Sequence, residues 1–182
     1  MTQAPISPSQ TPPAAGRIDV VLCVLMRTVE GRVQVLVARR ALDTAVLPGA
    51  WELPGGKIAP GERARDAAAR ELVEEVAVDC MEDAFKWHDF GVVEPAPPEG
   101  RPAPRLHLQA VQLPDGAVPK AMAARCIAWV DIESLASVDW PDTTRPAIDA
   151  VIAAHARITR EGACGVDGDQ GTGRSSSVGG TG

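Results

Sequence analysis

Three glutamates, Glu71, Glu74 and Glu75, stand at i, i+3 and i+4 in the segment ERARDAAARELVEEVAV. At helical spacing they fall within one sector of about 100°. Like charges so placed oppose a helix by roughly 0.2–0.5 kcal/mol per pair. Two of them also lie in the later turns, where the helix dipole disfavours negative charge. A divalent cation offsets both effects, because a hard ion such as Mg²⁺ takes carboxylate oxygens. Arg70, on the adjacent face, is a second source of neutralisation, and a plain solvated acidic face is the bland alternative. Just upstream, Pro54-Gly55-Gly56 forms a tight turn whose backbone can approach a ligand closely. Pro60-Gly61-Glu62 then leads into the helix. A glycine turn set against an acidic helix face makes a pocket for metal-bound phosphates. Lys57, Arg39 and Arg40 are nearby cations for a phosphate or a base, with simple surface charge as their alternative role.

These residues need elements to hold them. Ile18 to Met26 is a continuous apolar run suited to a buried strand, and Val33 to Ala38 is a second, with TVEGR between them as a hairpin turn. Residues 63–76 have helical character, with Ala68, Ala69, Leu72 and Val76 on the sector that faces a core. Further strands are expected over Phe85–Val93, Leu106–Leu113 and Arg125–Val130, and a Pro-rich loop over 94–104. A last helix is expected over Thr143–Ile158, with Ile148, Val151, Ile152 and His155 on one side. Strands flanking a central helix, with a closing helix, give an α/β or α+β class. Residues 1–16 read as a disordered leader and the Gly/Ser-rich residues 161–182 as a disordered tail, leaving a folded body of 17–160.

Composition removes other classes. The chain has 182 residues, 45% apolar and 23% charged, with a net charge of −6. That suits one domain with one core. An acidic chain lacks the basic footprint that polymeric nucleic acid requires. No apolar run reaches the 18 residues of a membrane helix, and the N-terminus has no basic start or apolar stretch of a secretory signal, so a cytoplasmic protein is expected. The 4 cysteines (Cys23, Cys80, Cys126, Cys164) are far apart and read as reduced thiols. The histidines are isolated, and none has a second ligand at metal spacing.

Residues 56–78 resemble the signature of the Nudix hydrolase family, G-x5-E-x7-R-E-U-x-E-E-x-G-U, where U is a bulky aliphatic residue. Gly56, Glu62, Arg70-Glu71, Leu72, Glu74-Glu75 and Val78 fill it, and Ala77 stands where the family has Gly. If Ala77 has a positive φ, the exchange costs on the order of 1 kcal/mol. The resemblance implies an α/β/α sandwich with a mixed central sheet and a Mg²⁺- or Mn²⁺-dependent cleavage of a pyrophosphate bond. It makes Glu71, Glu74 and Glu75 metal ligands together with the Gly56 carbonyl, with Glu71 orienting or deprotonating the attacking water. Arg70 and Glu62 become supporting residues. Glu94 and Glu99 are alternative positions for a base, because the stretch KAMAAR (120–125) offers no carboxylate.

The text around the motif, VLVARR and GAWELPGGKIAPGE, is similar to the MutT-like branch, which hydrolyses nucleoside triphosphates to monophosphates and includes enzymes acting on 8-oxo-dGTP. This implies substrate contacts from Arg39, Arg40, Leu53, Gly55, Lys57 and Thr144. Leu53 replaces the branch's usual Phe. Thr144 replaces an Asn that reads the base edge, and its hydroxyl cannot reproduce the paired donor and acceptor of an amide. Hydrolysis of ADP-ribose or another nucleoside diphosphate sugar is the alternative, with Pro95 or Pro97 as the supporting residue; a non-catalytic nucleotide-binding module is a third. The expected partner is a small nucleotide, without nucleic-acid polymer or membrane, and a homodimer is expected by analogy with family members.

Overall fold

The strand Arg17–Val29 (β1) is central, and its alternate residues serve two different cores. Val21, Cys23 and Leu25 are fully enclosed on one face, and Val24 and Met26 are buried on the other. A strand covered on both faces reads as an unbroken apolar run, which is what the sequence has there. The computed structural model describes residues 16–80, 85–97, 101–122 and 124–164; most of the expected leader and tail lies outside them.

The remaining elements are β2 (Arg32–Arg39), β3 (Trp51–Glu52), β4 (Gly55–Lys57), α1 (Ala64–Val76), β5 (Trp87–Val93), β6 (Ala103–Gln112), β7 (Cys126–Asp131), a 3-10 turn (Ile132–Ser137) and α2 (Arg145–Cys164). The β1–β2 hairpin turns at Glu30 and Gly31, both with positive φ (50° and 77°), the geometry that a two-residue connection requires. The sheet runs β3-β2-β1-β6-β5, with β4 paired to β1 and β7 to β2. β1 is parallel to β6 and antiparallel to β2 and β4, so the sheet is mixed.

The two helices cover opposite faces. α1 buries Ala67, Ala68, Leu72 and Val76 against Val21, Cys23, Leu25 and Leu36. α2 buries Ala147, Ile148, Val151 and Ala154 against Val24, Val35, Leu53 and Leu108. Each fully buried Leu, Ile or Val contributes about 1.5–3 kcal/mol. The result is the expected α/β/α sandwich. Pro146 sits in the first turn of α2, where its missing N–H costs nothing. α2 runs to Cys164, past the expected end of the folded body, and β6 begins at Ala103, inside the expected Pro-rich loop. β3 and β4 lie beside and within the Pro54-Gly55-Gly56 turn, where no strand was expected. No described helix is long and apolar enough to cross a membrane. Cys23 and Cys80 are buried free thiols and Cys126 is an exposed one.

Candidate active site

The glycine pair is wedged between β1 and α1, and each glycine is needed for a different reason. A β-carbon on Gly55 would stand 2.1 Å from the backbone oxygen of Val21. A β-carbon on Gly56 would stand 2.2 Å from Oε1 of Glu71. The turn is pinned to β1 by the Cys23 amide, which donates to the Pro54 carbonyl at 2.7 Å. The Gly55 amide in turn donates to Oε2 of Glu75 at 3.0 Å. The turn therefore touches two of the three helix glutamates.

Arg70 organises the third side. Its Nε donates to Glu62 Oε1 at 3.0 Å, one terminal nitrogen donates to Glu71 Oε1 at 2.7 Å, and the other donates to the Lys57 carbonyl at 3.0 Å. Glu62 also accepts from the Ala59 amide at 2.8 Å. These bonds to Arg70 and Ala59 hold the Glu62 carboxyl below its usual range. The guanidinium is held charged by Glu62 and Glu71. Arg70 and Glu62 thus tie the loop before α1 to the buried carboxylate of Glu71.

The helix end is built to carry acid. α1 has no basic residue in its last turn. Its closing carbonyls are met instead by amides of the loop after β6: Lys120 donates to Val76 O and Met122 to Glu75 O, both at 2.9 Å. Ala77 ends the helix in the left-handed region, with φ 56° and ψ 36°. The condition under which alanine carries a cost at the family's glycine position is therefore met.

Glu75 is half-buried, and desolvation is the main cause that pushes its carboxyl up to about 7; Glu52 and Glu71 add repulsion. Such a group gains from a cation that replaces its proton. Among the described residues no three acidic or metal-ligating side chains already converge as a closed cage. Arg70 lies between Glu71 and Glu74, 3.5 Å from the latter, and the Glu74 side chain is 57% exposed. The donor set still fits Mg²⁺ or Mn²⁺. Mg²⁺ keeps several waters and is commonly bound through one or two carboxylates together with substrate phosphates, so a closed protein cage is not required. The space that Gly56 leaves open at Glu71 is the backbone approach such a site needs.

A second cavity, of 650 Å³, is lined by Arg39, Leu47, Gly49, Trp51, Asp139 and Trp140, among others. Arg39 sits over the Trp51 ring, 5.6 Å from its centroid, and its Nε donates to the Gly49 carbonyl. This platform suits the flat face of a base. The other expected substrate residues lie elsewhere, Gly55 in the turn already described. Leu53 is enclosed in the core on the α2 side, 1% exposed, so it supports the platform from beneath. Lys57 lines a different cavity, with Arg105 and His107. Thr144 is half-buried at the start of α2 and does not line the Arg39–Trp51 cavity; its carbonyl accepts from the Ala147 and Ile148 amides. Arg40 faces the glutamates and pairs with Glu52. Of the alternative bases, Glu94 pairs with Arg17 and Arg105, and Glu99 lies outside the described residues.

Two residues in these cavities were missed in the sequence. Glu52 stands in a stretch dominated by Gly and Pro, where no strand was expected and nothing marks it. Asp139 precedes Trp140 in what reads as a loop. Nothing in their spacing singles them out; only the pairing of β3 with β2 and the docking of the 138–141 segment bring them to the cavities.

Comparison with known proteins agrees with this geometry. The family model described as NUDIX domain matches residues 16–153. A Mycobacterium tuberculosis protein named "Putative 8-oxo-dGTP diphosphatase 2" is 37% identical over 111 residues, covering 61% of this chain and 74% of the relative. The "Nucleoside triphosphatase NudI" of Escherichia fergusonii is 49% identical over 41 residues, 22% of this chain and 29% of the relative. Among solved structures, a MutT chain from work on Aliivibrio salmonicida and Vibrio cholerae superposes with a TM-score of 0.57 at 26% identity, covering 75% of this chain and 98% of that one. The MutT protein of Methanosarcina mazei shares the fold, with a TM-score of 0.58 at 22% identity over 81% of this chain and 96% of that one. With the motif, the mixed sheet and the Arg70-centred site in place, the chain belongs to the NUDIX family and is a MutT-like Nudix hydrolase.

Proposed function

We propose that the chain cleaves nucleoside triphosphates to a nucleoside monophosphate and pyrophosphate, with a divalent cation held by Glu71, Glu74, Glu75 and the Gly56 carbonyl. One observation carries this reading: the glycine turn and the helix glutamates interlock at one end of β4, while Arg39 and Trp51 form a base-sized platform beside β3. The names of the M. tuberculosis and E. fergusonii relatives support the substrate class. A bound cation supplies neutralisation of the phosphate oxygens, without which an anionic substrate repels its nucleophile.

The chain's own residues supply the rest. Trp51 and Arg39 hold the base, and Asp139 offers acceptors to N–H groups on the base edge. Glu71, fixed by Arg70, orients the water that attacks phosphorus, and its carboxylate takes the water's proton as the new P–O bond forms and the P–O bond to pyrophosphate breaks. Arg70 and Glu62 act only through Glu71. Base preference for 8-oxoguanine rests on Asp139 and the platform here, since Thr144 does not line that cavity.

The test is pyrophosphate release from a panel of dNTPs, 8-oxo-dGTP, ADP-ribose and nucleotide sugars, with Mg²⁺ and with Mn²⁺. Pyrophosphate from triphosphates, lost in Glu74→Gln and in Glu75→Gln, is the expected result. A sugar phosphate from ADP-ribose with no turnover of triphosphates overturns the substrate class. Silence on every substrate with both ions overturns the catalytic reading.

A further inference from the structure

A cavity of 120 Å³ at the end of β2 and β3 is lined by Arg40, Ala41, Thr44, Glu52, Glu75 and Ala124. One cation and two carboxylates thus face the same small space. Arg40 is fixed there from several directions. Its guanidinium pairs with Glu52 at 2.5 Å, its Nε donates to the Val46 carbonyl at 2.9 Å, and its amide donates to the Ala50 carbonyl. The pair is largely shielded, with side chains 30% and 26% exposed. Among the described residues Glu75 has no guanidinium partner; its Oε2 accepts the Gly55 amide. Arg40 is near enough that its charge is felt at Glu75.

A metal ligand and an arginine facing one cavity are in competition. A guanidinium that reached Glu75 would form a charge-assisted pair and occupy the oxygens a cation needs. Glu52 prevents this by position: it lines the same cavity and takes one terminal nitrogen of Arg40, while the Val46 carbonyl holds Nε. We propose that Glu52 is a positioning residue that sequesters Arg40 and so keeps Glu75 open for the divalent cation. This rests on the reading that Glu75 is a metal ligand. It assigns Glu52 no contact with the cation or the substrate.

A double-mutant cycle on the full chain separates this from simpler accounts. Mn²⁺ binding is measured directly, by the loss of the free-ion electron paramagnetic resonance signal on titration, without substrate. Glu52→Gln is expected to weaken Mn²⁺ binding by about tenfold when Arg40 is present. In the Arg40→Gln background the same change at Glu52 is expected to alter binding by less than about twofold, because there is no guanidinium left to sequester. An equal weakening in both backgrounds overturns the proposal, since Glu52 would then act on the cation by its own charge or as a ligand. No change in either background also overturns it. Glu52→Asp keeps the charge but withdraws it by one methylene; weakened binding there supports sequestration, and unchanged binding overturns it even if Glu52→Gln folds poorly. If the unaltered chain binds no Mn²⁺, or binds it equally well as Glu74→Gln, the metal reading itself fails and the proposal with it.

Discussion

Gly56 and Glu71 occupy each other's space: the carboxylate sits where a β-carbon of residue 56 would be, 2.2 Å from Oε1. The neighbouring glycine has a backbone atom in the same relation, Val21 O at 2.1 Å. The two sites therefore fail differently. Gly56→Ala pushes aside the end of a side chain, so Mn²⁺ binding and turnover fall by at least about tenfold while the melting temperature changes little. Gly55→Ala pushes the β4 turn off β1, so the melting temperature itself drops. A Gly56→Ala chain that binds Mn²⁺ and turns over normally removes the close approach from the site.

Ala77 holds a left-handed conformation, which costs a non-glycine residue about 1–2 kcal/mol. Glycine there relieves the strain but adds freedom to the unfolded chain, which takes back part of the gain. Ala77→Gly is expected to stabilise the chain by about 0.5–1 kcal/mol in a urea melt, without changing turnover. Destabilisation would mean that the helix exit is held by its loop contacts alone.

Arg70 is the single link between Glu62, Glu71 and the Lys57 carbonyl. Lysine keeps the charge, but its three donors share one nitrogen and cannot replace the three separate nitrogens that Arg70 uses. Arg70→Lys is therefore expected to lower kcat by about 10- to 100-fold with a smaller change in KM. A rise in KM alone would make Arg70 a substrate contact instead.

The cation-free chain has a pH dependence with a definite sign. Folded, Glu75 keeps its proton up to about pH 7; unfolded, it loses it near its ordinary 4.5. Between those values the folded chain binds more protons than the unfolded one, so stability falls as pH rises. In chelator, the melting temperature is expected to decline from about pH 5 to about pH 7, and to decline less in Glu75→Gln. Glu52, also raised by burial, leaves a residual slope. Asp19, Glu62 and Asp66, whose carboxyls are lowered by His or Arg partners, and Asp131, lowered by Gln34 and then Arg32, act the other way, but only below their usual range. A flat profile in the unaltered chain would place Glu75 in water.

The parts of this molecule that follow a period were legible. β1 declares itself as an unbroken apolar run because it is buried on both faces. α1 declares itself through Ala68, Leu72 and Val76, and the motif fixes which of its polar residues meet. What could not be read depends on contacts distant in sequence. Lys57 directly follows the glycine pair, yet it lines a different cavity, with Arg105 and His107. Glu52 takes its meaning from Arg40, which only the β2–β3 pairing brings beside it. Thr144 stands where the resemblance puts an amide at the base, while Asp139, Trp140 and Pro141 just before it line the cavity. The end of α2 was lost because glycine and serine dominate the composition from residue 161 onward, although the helix continues to Cys164.

The loop before β7 grips both halves of the site. Met122 donates to the carbonyl of Glu75, and three residues later Arg125 donates to the carbonyl of Arg39. The two bonds fall on different elements, the last turn of α1 and the end of β2. Fraying of the helix exit is therefore transmitted to the strand end that carries Arg39, and the two loosen together rather than separately.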